Sequence, residues 1–190
     1  MRILIAALLG AIAMFIWSAV AHVATPLATI GFQPLPHEQA VVAAMQPATT
    51  DKPGLYIMPW VDPKDPQMMQ KTADLMKTEG AGIFVYAPPH AAGGDPTNMA
   101  PMLVVEFLKQ FVEALIAAYL VASMVGLAFA GRVGAVTLIG VVAGIATNVS
   151  YWNWYRFPLD YTLAQVFIEI VSAFVAGLAI AWWLGRTKAA

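Results

Sequence analysis

The chain has 190 residues, 60% of them hydrophobic and 11% charged, with a net charge of −1 and no cysteine. A soluble domain carries about a quarter charged residues, so this composition points to lipid as the solvent. The charge balance leaves no footprint for nucleic acid, and the missing thiols exclude disulfides, cysteine-based zinc sites and iron–sulfur ligation.

The first element is Ile3 to Ala21, uncharged and about long enough to cross a bilayer. Ala19-Val20-Ala21 also fits a signal-peptidase site. A single preceding arginine and Trp17 near the far end favour an uncleaved anchor. Residues 1–21 are therefore expected to form an N-terminal membrane helix.

Residues 22–102 follow as a small, mildly acidic α/β domain near the lower size limit for an independent core. PLPHEQAVVAAMQP predicts a short helix with Pro36 at its first position and Pro47 as its stop. GLYIMPW from Gly54 predicts a strand. DPQMMQKTADLMKTEG predicts an amphipathic helix capped by Asp65, with Met69, Ala73 and Met76 on one face and Gly80 past its end. GIFVYAPP from Gly82 predicts a second strand. Two strands alone are marginal, so the unit is expected to lean on the bilayer, the span bundle or a second copy. HAAGGDPTNMAP, residues 90–101, is a connector into the second span.

Residues 103–190 supply three more spans. The second has an apolar run from Ala114 to Ala130, the third covers Val133 to Val149, and the fourth Phe167 to Leu184, interrupted by Glu169. The fold class expected is thus an integral membrane protein, mainly α. It has one N-terminal and three C-terminal membrane helices, with the α/β domain inserted after the first. Arg2, Arg132, Arg186 and Lys188 fall on one side of such a four-pass chain, which puts both termini in the cytoplasm of a bacterial-type inner membrane. Residues 22–102 and the loop 151–160 then lie outside, where Arg156 can pair with Asp160.

Charges inside spans are costly and mark candidate sites. Glu106, Lys109 and Glu113 share a helix face at spacings of three and four, so Lys109 can pair with both acids. Glu169, with Gln165 one turn above it, is expected at a depth like that of Glu113. Both acids are predicted to face the bundle interior, with Asn148 and His22 nearby. Such a cluster holds a cation, a proton or a polar head group, or it pins the helices together.

Other signals carry less. His22, His37 and His90 have no metal-ligand spacing, and haem would require histidines inside the spans. EGAGIF at Glu79 leads into a strand, which is the wrong geometry for a nucleotide phosphate. The methionines, including Met58, Met68, Met69 and Met76, read as packing residues rather than soft-metal ligands. Gly140 and Gly144 form a small-residue face, as do Ala173 and Gly177, and both suit close helix packing within the chain. No catalytic arrangement can be assembled. The expected function is a non-enzymatic accessory or partner-binding membrane subunit without a cofactor, whose partners are the bilayer and either another membrane protein or a second copy. The alternatives are a small proton-coupled carrier using the carboxylates, and a lipid-head-group enzyme using them with His22.

Overall fold

The computed structural model describes residues 1–49, 52–89 and 97–186. His90 and most of the connector, and Lys188 near the C-terminus, lie outside the described residues. The chain is mainly helical and divides into two compact units. The larger is a helical bundle built from Met1–Phe32, Met99–Asn153 and Phe157–Ala190. The smaller comprises Gln33–Asn98 with Trp154–Arg156.

The bundle contains α1 (Arg2–Ala19), α4 (Ala100–Ser123), α5 (Phe129–Gly144), α7 (Leu159–Arg186) and, up to Asn153, α6 (Ser150–Tyr155). A π-turn at Val20–Ala24 extends α1, and another at Ile145–Val149 joins α5 to α6 as one continuous helical run. Three stretches are long and apolar enough to cross a membrane: Arg2–Ala24, Phe129–Tyr155 and Leu159–Arg186. Helix α4 has 24 residues but also carries Glu106, Lys109 and Glu113, and does not join them on composition. Helix α1 packs against both α4 and α7, and α7 packs against α5.

Side chains sort by size in an order that lipid, not water, imposes. On α1 the buried positions are Ala6, Ala7, Gly10, Ala11 and Met14, while Leu4, Leu8, Ile12 and Ile16 point outward. On α7 Ala173, Ala176, Gly177 and Ala181 are buried, and Phe167, Phe174, Leu178 and Trp182 are exposed. Helices in lipid gain little from hiding large apolar groups, so small residues take the contact faces and let backbones approach. The glycine face of α5 meets α7 in this way. A Cβ on Gly140 would overlap the Ala173 side chain and stand 2.9 Å from the Glu169 carbonyl oxygen.

Two sequence expectations need correction here. The run Ala114–Ala130 is not one helix: α4 stops at Ser123, Met124 is extended and Gly126 takes φ +83°. The turn is made of apolar residues, so hydropathy does not reveal it; the glycine allows the left-handed backbone there. Residues 151–155 are helical, which shortens the expected loop 151–160 to Arg156–Pro158. The helix runs on to Tyr155 and breaks at Arg156, which takes the left-handed conformation at φ +61°, two residues ahead of Pro158. The Asp160 carboxylate accepts the Tyr161 backbone N–H at 2.8 Å.

The smaller unit holds α2 (Glu38–Met45), β1 (Gly54–Met58), α3 (Met68–Glu79) and β2 (Gly82–Tyr86), in the expected order of helix, strand, helix, strand. The strands pair antiparallel with Tyr56 opposite Phe84, and their rings stack at 5.2 Å. Asp65 caps the approach to α3 by accepting the Gln67 N–H at 2.8 Å, but the helix itself starts at Met68. Its covered face is Met68, Thr72, Leu75 and Met76; Met69 and Ala73, expected to face inward, are exposed. Among the described residues 33–98 none is fully buried.

Candidate functional site

The bundle leaves a cleft between α4 and α5, floored by α1 and α7, with a volume of about 100 Å³. Glu113 borders it from α4 and Glu169 from α7, but Glu113 is exposed and Glu169 only partly buried, so the expected interior placement is not met by Glu113. Its walls are small: Ala114 and Ala117 on α4, Gly140 and Ala143 on α5, Ala173 and Ala176 on α7. The cleft exists because α4 and α5 barely touch, each being held instead through α1 or α7. Among the described residues, neither glutamate carboxylate has a hydrogen-bond or ion-pair partner.

The remaining members of the expected cluster go elsewhere. Lys109 pairs with Glu106 at 2.9 Å rather than bridging both acids, and remains within electrostatic reach of Glu113. Glu106 is also held by Gln110, whose Nε2 donates to it at 2.9 Å and to Ser18 Oγ of α1 at 2.9 Å. Asn148 donates to the Gly144 carbonyl at 3.0 Å within its own π-turn. His22 is exposed, with Nδ1 2.9 Å from the Ser18 carbonyl. Neither of them lines the cleft, and nor does the half-buried Gln165.

Gly10 of α1 lies against Ala114, next to Glu113, and Trp17 donates to the Ile168 carbonyl, next to Glu169, at 3.0 Å. Helix α1 thus packs beside the base of both acid-bearing segments. Only about 15 Å of helix separates Glu113 from Ser123, where α4 ends.

Gln110 is the polar residue that sequence reasoning missed. It is 1% exposed, and among the described residues its Oε1 has no partner. A signal for it exists: residue 110 stands in helical phase with the buried stripe Ala114, Ala117, Ala118 and Val121. A glutamine in phase with an alanine stripe is a glutamine inside the bundle.

Chemically, the cleft offers two carboxyl groups in an apolar setting. Among the described residues, no group of three histidine, cysteine or acidic side chains gathers to hold a metal ion. No family model matches the chain, and no curated protein or solved structure matches it either.

Proposed function

We propose that this is a non-enzymatic, multi-pass inner-membrane protein that acts as a partner-binding subunit, and that a helix of its partner docks in the α4–α5 cleft. The observation that carries the reading is the pair of unpartnered carboxylates in an open cleft walled by small side chains. Carboxylates in contact with lipid are costly, and a facing basic or hydroxyl side chain removes that cost. Small side chains are what a close-packed helix requires of its neighbour. The partner is then a membrane helix carrying Arg, Lys or a hydroxyl residue at the depth of Glu113.

A fourth crossing by α4 fits this reading. Val112, Ile116 and Leu120 point outward and Ala114, Ala117 and Ala118 inward, as on the three apolar helices. Arg2, Val121 and Arg132 border one pocket, as expected if α4 runs back along the whole of α1. With Arg186 they form the positive side, which by the distribution of basic residues is cytoplasmic, leaving residues 22–102 outside.

The test is co-purification in mild detergent combined with photocrosslinking from Ile139, a cleft-lining residue of α5. Wild-type protein is expected to retain and crosslink one membrane protein. Glu113→Gln with Glu169→Gln is expected to lose it while melting at an unchanged temperature. A wild-type chain that purifies alone and crosslinks only to lipid ends the proposal.

The shared cleft also favours a second reading, a small proton-coupled carrier. There the same double variant abolishes proton uptake into proteoliposomes containing this chain alone, a flux that the docking reading does not produce. The lipid-head-group enzyme requires His22 beside the acids, and His22 is not among the cleft residues.

A further inference from the structure

A second pocket, of about 270 Å³, lies at the end of the bundle where α1 and α5 begin and α4 and α7 finish. It is distinct from the carboxylate cleft. Along α1 it touches Arg2 and Ile3, whereas the cleft touches Met14, roughly 17 Å away by helical rise. Two guanidinium groups border it. Arg132, in the first turn of α5, is 8% exposed, and among the described residues its Nε has no hydrogen-bond acceptor. Its Nη1 lies beside Gly185, where an added Cβ would stand 3.7 Å away. Arg2 is more open, and its Nη2 reaches the Leu184 carbonyl only at 3.5 Å.

A buried guanidinium with an unused donor is costly, and the cost is removed by an anion. Two arginines around one space favour a phosphate group, because the planar donor fork matches phosphate oxygens in pairs. Between the arginines the wall is apolar: Ile3, Val121, Val125 and Leu184. Val125 is 93% exposed, so apolar surface continues out of the pocket. The volume falls just under the roughly 300 Å³ at which sites for whole small molecules begin. It suits a head group whose tails lie outside. Trp182 and Trp183 mark the same end of α7, as interfacial anchors do.

We propose that this pocket binds the phosphate of an anionic phospholipid, gripped by Arg132 from inside the bundle and by Arg2 from its rim. Free phosphate shares the recognition chemistry but makes no use of the apolar wall.

The experiment is native mass spectrometry with thermal melting of the full chain in uncharged detergent. The probes are phosphatidylglycerol, phosphatidylcholine and inorganic phosphate. Phosphatidylglycerol is expected to stay bound and raise the melting temperature; the other two do neither. Arg132→Lys keeps the charge but loses the fork, and Arg2→Gln removes an exposed cation without touching the core. Each is expected to weaken phosphatidylglycerol about tenfold or more, the worth of one charge-assisted hydrogen bond. Should Arg132→Lys fold poorly, Arg2→Gln decides alone. Equal retention of phosphatidylcholine, or unchanged binding in the folded variants, overturns the proposal. Equal protection by inorganic phosphate overturns the lipid as the source.

Discussion

The two units of this chain solve the problem of holding together in opposite ways. The bundle has a core, and alanine dominates it: Ala6, Ala7, Ala11, Ala114, Ala117 and Ala118 are each at most 5% exposed. The smaller unit has no fully buried residue among those described, yet it carries larger apolar side chains, including Leu55, Ile57 and Val85 of its sheet, all exposed. Hydrophobic content alone therefore predicts neither order nor core. In the bundle, stability comes from backbones close enough for dense contact. In the smaller unit it comes from strand pairing, one aromatic stack and local ion pairs, each worth little by itself.

The sharpest way to break this contrast is to add bulk where the bundle is tightest. Gly140→Val is expected to cost about 1–3 kcal/mol or more, because the new side chain meets Ala173 and the α7 backbone. Thermal melting in detergent checks it; an unchanged melting temperature would mean that the α5–α7 contact is looser than described. Phe84→Ala in the smaller unit comes next. It removes the stack on Tyr56, worth roughly 0.5–1.5 kcal/mol. Hydrogen exchange at the β1 and β2 amides is expected to accelerate while the bundle amides stay protected.

Gln110→Leu is expected to cost only about 0.6 kcal/mol, the average for a polar contact between membrane helices. The change removes the unpartnered Oε1 along with the two donated bonds, so gain and loss nearly offset. A drop comparable to that of Gly140→Val would show that the bundle relies on polar pinning after all.

The smallest effect concerns pH. Asp65 is held below its ordinary range by the hydrogen bond from Lys71 and by the Gln67 amide, and Asp74 by Lys77 and then Gln70. A depressed carboxylate contributes stability above its unfolded value and loses it as pH falls through the folded one. The α3 turns are therefore expected to fray only below the usual aspartate range. Amide chemical shifts at Gln67 and Met68 would report it, and fraying near neutral pH would contradict it.

Much of the smaller unit was legible because its punctuation is local. Gly54, Gly82, Asp65 and Gly80 each mark a boundary through their own backbone or capping chemistry. The inward face of α3 was not, since Met68 and Met69 are adjacent and chemically identical, and only packing chooses between them. In the bundle the long apolar stretches were plain, but their ends were not. A turn built from Met124, Val125, Gly126 and Leu127 looks like more helix to any hydropathy window. The candidate site divided along the same line. Glu113 and Glu169 could be paired because a charge in an apolar run has few places to go. Sequence distance from a membrane edge places Asn148, Gln165 and His22 near them, but it says nothing about azimuth.

The alanine-lined interior has a practical corollary for anyone mapping this protein. Truncation to alanine is the usual probe of a buried contact, and along the inner faces of α1, α4 and α7 many positions are already alanine or glycine. A conventional scan would report on Ile180, Val121 and a few others, and pass over most of the surfaces that hold the helices together. The reverse experiment, inserting leucine or phenylalanine one position at a time, draws the contours that truncation leaves blank.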